Sequence, residues 1–175
     1  MHIDGNKSTE SGSAHALSCF FVKARGLLSK VDSLRNYAIT MKLDVIGIAE
    51  TFLDKDVMQY VIGIYGFTSY RKDRSSFKEG KAGGVVLFVR NDIVSYEYSE
   101  LNVLKSESVW CRVNTASKET INIGVCCKSQ AAEVDGVKEL FKAIETASNE
   151  QVLTMGNFNY LKINWGTLEC DSHWI

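Results

Sequence analysis

Proline is missing from this sequence altogether: none occurs in 175 residues, where ordinary usage of about 5% would give roughly nine. Other absences narrow the class of protein. The five cysteines, at positions 19, 111, 126, 127 and 170, are odd in number and form no C-x-x-C pair. That argues against a disulfide framework or a zinc module, and for reduced thiols in a nuclear or cytoplasmic setting. No apolar run approaches the roughly 18 residues of a membrane span. The opening stretch MHIDGNKSTESGSAH is polar and lacks the apolar core of a signal peptide. The expectation is an intracellular protein with no membrane contact, its residues 1–16 a flexible tail. Charge of one sign is also lacking: the net charge is −1. Strong sequence-independent binding to nucleic acid needs a surplus of Lys and Arg, so any such contact has to come from a local patch. Repeats, linkers and low-complexity blocks are absent, and 17–175 reads as one domain.

What is present describes a globular chain, 45% hydrophobic and 23% charged. LSCFFV (17–22) reads as a first strand. Leu28, Val31, Leu34, Ala38 and Met41 recur at helical spacing, with Lys30, Asp32 and Arg35 on the other face. DVIGI (44–48) is a short apolar run of the buried-strand kind. YGFTSYRKDR, GVVLFVR (84–90), SYEYSE, ESVWCRV (107–113) and TINIGVCC (120–127) are β-branched or aromatic-rich and bounded by turn formers, so each reads as a strand. A second helix places Val134, Val137, Leu140, Phe141 and Ile144 on one stripe, and VLTM (152–155) is the strand after it. Two helices separated by a meander predict sheets packed together with helices outside. The runs 44–48 and 152–155 read as buried on both faces.

Ligand sites in layered α/β proteins tend to lie beyond the carboxyl ends of such strands. Glu50 stands just past one of them, and Asn157 and Asn159 just past the other. A carboxylate converging with amides can hold a divalent cation such as Mg²⁺, which favours one or two carboxylates completed by water and phosphate. The same residues also serve as caps, ion-pair partners and turn formers, and the spacing alone does not choose between these roles.

The order of motifs adds to this. KARGLLSKVDSLR, KLDVIGIAETFL, YRKDR…AGGVVLFV, ESVW, INIGVCCKS and GNFNYLKINW follow one another. Together they resemble the endonuclease/exonuclease/phosphatase superfamily, and most closely the endonuclease domain of LINE-type non-LTR retrotransposon proteins. The resemblance runs from about Leu17 to Trp165. It implies an α+β, DNase I-like four-layer β-sandwich flanked by helices, and Mg²⁺-dependent nicking of DNA. Glu50 matches the family's metal-binding glutamate. Asn159 matches the asparagine that contacts phosphate or positions the attacking water. Three further positions depart from the pattern: Lys23 stands where a metal-binding asparagine is expected, Cys127 replaces a tyrosine and is followed by Lys128, and Asn157 replaces the aspartate of G-D-F-N. The family's late Ser-Asp-His motif has no match, because His173 follows the GNFN loop too soon. The resemblance therefore implies a domain truncated at its C-terminal end.

These departures have physical consequences. An ionised aspartate only accepts hydrogen bonds, whereas an asparagine amide is neutral and half donor. Lys23 puts an ammonium where a cation should bind; it can swing to solvent or pair with Glu50 and remove the ligand's charge. Cys127 lacks the phenol that would reach a phosphate oxygen. Catalysis is expected to be impaired or absent. The missing prolines fit, since the family pattern has proline where Leu43, Gln130 and Leu161 stand, and a decayed element-derived reading frame accounts for both. Two other outcomes remain open: a non-catalytic module binding nucleic acid or protein, and an inert fragment. Arg71, Lys72 and Arg74, in a segment that continues through Lys78 and Lys81, are candidates for the DNA backbone, or a solvated loop with local ion pairs. Lys128, at the family's arginine position, is a further phosphate or DNA candidate. Trp110 and Trp165 read as core aromatics. Cys126 and Cys127 adjoin on a strand and so point to opposite faces.

Overall fold

The computed structural model describes residues 16–73, 83–115, 119–128, 134–159, 163–164 and 169–170. Of the residues singled out above, Arg74, Lys78, Lys81, Gln130, Leu161, Trp165, His173 and the tail 1–15 lie outside that set.

Strand β1 (Cys19–Lys23) leads through a short 3₁₀ turn into helix α1 (Val31–Thr40) and then strand β2 (Val45–Ala49). A four-residue helix, α2 (Gln59–Ile62), precedes strands β3 (Phe67–Lys72) and β4 (Val85–Arg90). Strand β5 (Ser95–Glu97), helix α3 (Ser99–Asn102) and strands β6 (Ser108–Asn114) and β7 (Thr120–Cys127) follow. Helix α4 (Val134–Ala147) returns the chain to strand β8 (Gln151–Asn157), and two two-residue strands, β9 (Ile163–Asn164) and β10 (Glu169–Cys170), pair with each other.

The larger strands make two four-stranded sheets, ordered β1-β2-β4-β3 and β5-β6-β7-β8. In the first, β1 and β2 are parallel and α1 makes the crossover. In the second, β7 and β8 are parallel and α4 makes it. The remaining pairs are antiparallel. Strand parity divides the apolar side chains among three layers. Val45, Val85, Leu87 and Val89 of the first sheet meet Val109, Cys111, Ile123, Val125 and Met155 of the second. Ile46, Ile48, Val86 and Phe88 point the other way, toward Val31, Leu34 and Ala38 of α1. Trp110 and Cys126 point out of the second sheet onto Leu140, Ala143 and Ala147 of α4. The order is helix, sheet, sheet, helix, the four-layer α+β sandwich that the sequence implies. At Gly47 the two sheets come close: a Cβ there would lie 2.9 Å from Val125 Cγ2, so the side chain has to be hydrogen.

Four local expectations change. Residues 45–49 are buried throughout, but 152–155 are not, because β8 ends its sheet; Val152 is exposed and only Met155 is buried. Leu28 and Met41 flank α1 instead of extending its buried stripe, and both are half exposed, while Leu27 takes the core position. On α4 the face against the sheet is Leu140, Ala143 and Ala147, with Val134 and Phe141 exposed. Small side chains let the helix sit close over the fully buried Trp110, so its phase is set by fit and not by the largest apolar residues. SYEYSE divides into β5 and the start of α3.

Cys126 and Cys127 face opposite layers, one under α4 and one between the sheets. Cys19, Cys111, Cys126 and Cys127 are not joined in disulfides. Among the described residues no helix is long and apolar enough to cross a membrane.

Candidate site at the shared mouth of the two sheets

The parallel pairs β1/β2 and β7/β8 end at the same rim of the sandwich. Lys23 is in register with Ala49, and Cys127 with Asn157. By parity Lys23 shares the inter-sheet side of β1 with Phe21, and Asn157 shares that side of β8 with Met155. Both therefore open onto the gap between the sheets at its end. Glu50 joins them through a backbone kink at φ 55°. The carbonyl of Glu50 accepts the Gly26 amide at 2.9 Å, and the Thr51 and Phe52 amides donate to Gly84 and Gly83 at 3.2 and 2.8 Å. Held on both sides, the kink turns the chain out of β2 while keeping the carboxylate at the mouth. A left-handed conformation is costly for a residue with a Cβ and marks a position fixed by its surroundings.

Lys23 Nζ lies 2.7 Å from Glu50 Oε1. Asn157 Nδ2 donates toward the same oxygen at 3.5 Å, a long contact. Asn159, left-handed at φ 49° in the segment after β8, donates from Nδ2 to the Lys128 carbonyl at 2.7 Å, and the Lys128 amide donates to the Asn157 carbonyl at 2.9 Å. Thus the structure brings Lys23, Glu50 and Asn157 into direct contact, and places Asn159 and Lys128 beside them as the lacing between the ends of β7 and β8. Cys127 belongs to the inter-sheet core just below, 3% exposed; its side chain packs there instead of reaching the mouth.

Arg71 and Lys72 are occupied elsewhere. The Arg71 guanidinium binds both carboxylate oxygens of Asp73 at 2.6 Å, the Val57 carbonyl at 2.6 Å, and the Asp54 carbonyl. It fastens the loop after β2 to the end of β3. Lys72 Nζ donates to the carbonyls of Asn102 and Leu104, closing the end of α3. Burial holds its ammonium below the usual lysine range, opposed by the charge of Glu139. Both cations are thus engaged within the fold, Arg71 in the local ion pair with Asp73 that was the alternative to a DNA contact.

One contributor carried no role in the sequence reading. Glu107 precedes β6; its side chain accepts the Gly84 amide and its carbonyl accepts the Cys127 amide at 2.8 Å. It joins the start of β4 to the end of β7, and so braces the mouth. The signal was an acidic residue one position before a strand antiparallel to β7, hence at the same rim.

The residues present do not fit a divalent cation. The single carboxylate among the predicted ligands already accepts an ammonium, and the amide beside it turns a donor toward that carboxylate. Mg²⁺ asks for carboxylate oxygens free to bind it. Among the described residues no three His, Cys, Asp or Glu side chains gather as a metal group. The arrangement that exists can instead offer donors: an ammonium with three N–H groups, one of them engaged, at the end of an apolar gap.

No protein-family model matches the sequence, and no curated protein matches it. Solved structures do. The endonuclease domain of TRAS1, a telomere-specific non-LTR retrotransposon, superposes with a TM-score of 0.64 at 16% identity, over 91% of this chain and 66% of that one. The catalytic domain of Xenopus laevis APE2 gives 0.53 at 15%, over 80% and 57%, and an AP endonuclease from Archaeoglobus fulgidus 0.53 at 14%, over 82% and 58%. The chain has the DNase I-like fold of endonuclease/exonuclease/phosphatase structures, the retrotransposon endonuclease among them. It spans between 57% and 66% of the length of these three.

Proposed function

We propose that this chain is a DNA-engaging, endonuclease-like domain of the retrotransposon type in which Mg²⁺-dependent nicking is lost or very weak. The observation that carries the reading is the 2.7 Å contact between Lys23 Nζ and Glu50 Oε1. It places a positive charge on the one carboxylate that nicking would need for its metal, where it competes with a second cation by like-charge repulsion. Support for the DNA-directed part comes from the fold shared with the TRAS1 endonuclease domain and from the position of the site beyond the ends of parallel strands. Asn159 is the candidate contact for the scissile phosphate, Glu50 the residual metal position, and Asn157 the degenerate third member.

Nicking of supercoiled plasmid tests this, with Mg²⁺ and with EDTA. The parent and Asn157→Asp are expected to leave the plasmid closed, and Lys23→Asn combined with Asn157→Asp is the variant in which activity returns if the rest of the site is intact. Parent protein that nicks with Mg²⁺, stops with EDTA and loses the activity on Glu50→Ala would refute the inactive reading.

A further inference from the structure

We propose that Lys23 is the resident cation of this site: its ammonium stands in for a divalent ion and lets the mouth hold a phosphodiester anion without added metal. This rests on the DNA-directed reading above and concerns how the contact is made. The charge count is the first argument. Lys23 and Glu50 sum to zero, and Asn157 and Asn159 add nothing. With asparagine at 23 and aspartate at 157 the same four positions would total −2, and would repel a phosphate until a divalent ion neutralised them. The substitutions at 23 and 157 together remove that requirement.

Geometry is the second argument. The ammonium is not an unconstrained surface group, because Glu50 fixes it at 2.7 Å and Glu50 is itself fixed by a left-handed kink bonded on both sides. Nor is it spent. One N–H is directed at Glu50, and among the described residues no second acceptor takes the other two. The Lys23 side chain is 33% exposed and that of Glu50 19%, so the positive partner of the pair is the one that faces the opening. Arg71 and Lys72 differ, since their donors go to Asp73 and to backbone carbonyls. A bound phosphate oxygen would then be the second acceptor on a pre-positioned ammonium, a charge-assisted bond with little ordering left to do.

The test is fluorescence anisotropy of a short fluorescein-labelled DNA duplex against the full chain, in EDTA and in millimolar Mg²⁺, across a salt series. Circular dichroism confirms that each variant is folded. The parent is expected to bind in EDTA and to gain nothing from Mg²⁺. Lys23→Asn should lose about tenfold in affinity in EDTA, and its log–log salt slope should flatten by about 0.9, the loss of one phosphate contact. Lys23→Arg should keep both. Glu50→Gln should tighten EDTA-resistant binding a few-fold, because it removes the counter-charge and leaves the ammonium. That sign is opposite to the one a metal site gives, where losing Glu50 weakens Mg²⁺-supported binding. Parent binding that needs Mg²⁺, or Glu50→Gln that weakens binding, or Lys23→Asn that leaves the EDTA affinity and salt slope unchanged, overturns the inference while the DNA-directed reading stands. No binding by the parent under either condition overturns both.

Discussion

Restoring the acid of the loop should make the protein less stable. In Asn157→Asp a carboxylate replaces an amide whose nitrogen lies 3.5 Å from Glu50 Oε1. Two unit negative charges at that separation repel by about 1 kcal/mol in a water-like medium and about 5 kcal/mol at an effective dielectric of about 20. The Glu50 side chain is 19% exposed, so the value falls between these limits, and the attraction of Lys23 for the new carboxylate offsets part of it. A net cost of about 2 kcal/mol follows, or a fall in Tm of roughly 4–8 °C for a chain of this size. The pH dependence has a definite sign. The net repulsion raises the folded-state pKa of the introduced aspartate above its unfolded value. The penalty is therefore fully present above that raised value, shrinks as pH falls through it, and is gone below the unfolded carboxylate range near pH 4. Thermal unfolding by circular dichroism in EDTA, at neutral pH and at about pH 4, measures both points. A variant as stable as the parent at neutral pH would refute the reasoning, because the repulsion from Glu50 would then not exceed the attraction of Lys23.

Three further outcomes are open to direct measurement. Gly124→Ala would place a Cβ 2.3 Å from Trp110 Cζ3, and should destabilise by about 3 kcal/mol with a shift in tryptophan emission; an unchanged Tm would mean that the indole has room to slide. Arg90→Ala leaves Asp44, 1% exposed, with the Ser18 amide at 2.7 Å but without the guanidinium at 2.9 Å, and should cost about 3 kcal/mol in urea unfolding, part of it recovered by adding Asp44→Asn. Burial pushes the Cys111 thiol up to about 12 and raises that of Cys126, so neither should react with a disulfide reagent at pH 8 until denaturant is added, whereas Cys19, accessible though partial burial and Asp44 raise its thiol, reacts slowly in the folded protein.

The sandwich was legible from short apolar runs bounded by turn formers. Val45 to Ala49 and Val85 to Val89 are buried on both faces, so they show no alternation; their length and β-branched content mark them as strands. The phase of α4 was not legible, since Phe141 weighs more than Ala143 in any apolar count but less in the fit against Trp110. Helices α2 and α3 are each four residues long, too short for a period to register. At the site, the convergence of Glu50 with Asn157 followed from strand ends, and the pairing of Lys23 with Glu50 was one of two outcomes that the charges allowed. The fate of Arg71 was hidden because its carbonyl partners belong to a loop whose path the sequence does not specify. The same holds for Glu107, whose role depends on two sheets meeting.

The mouth draws on both halves of the chain unequally, and this bears on the order in which it assembles. Lys23 and Glu50 end two neighbouring parallel strands joined by α1, so their contact needs only the first sheet. Asn157 reaches the same oxygen across a separation of 107 residues, after the second sheet has formed and docked. Contacts so distant in sequence close late, because the loop entropy has to be met first. The ammonium–carboxylate pair is then expected to form before the amides arrive, and a pulse-labelling hydrogen-exchange experiment should find the β1/β2 rim protected earlier than the end of β8.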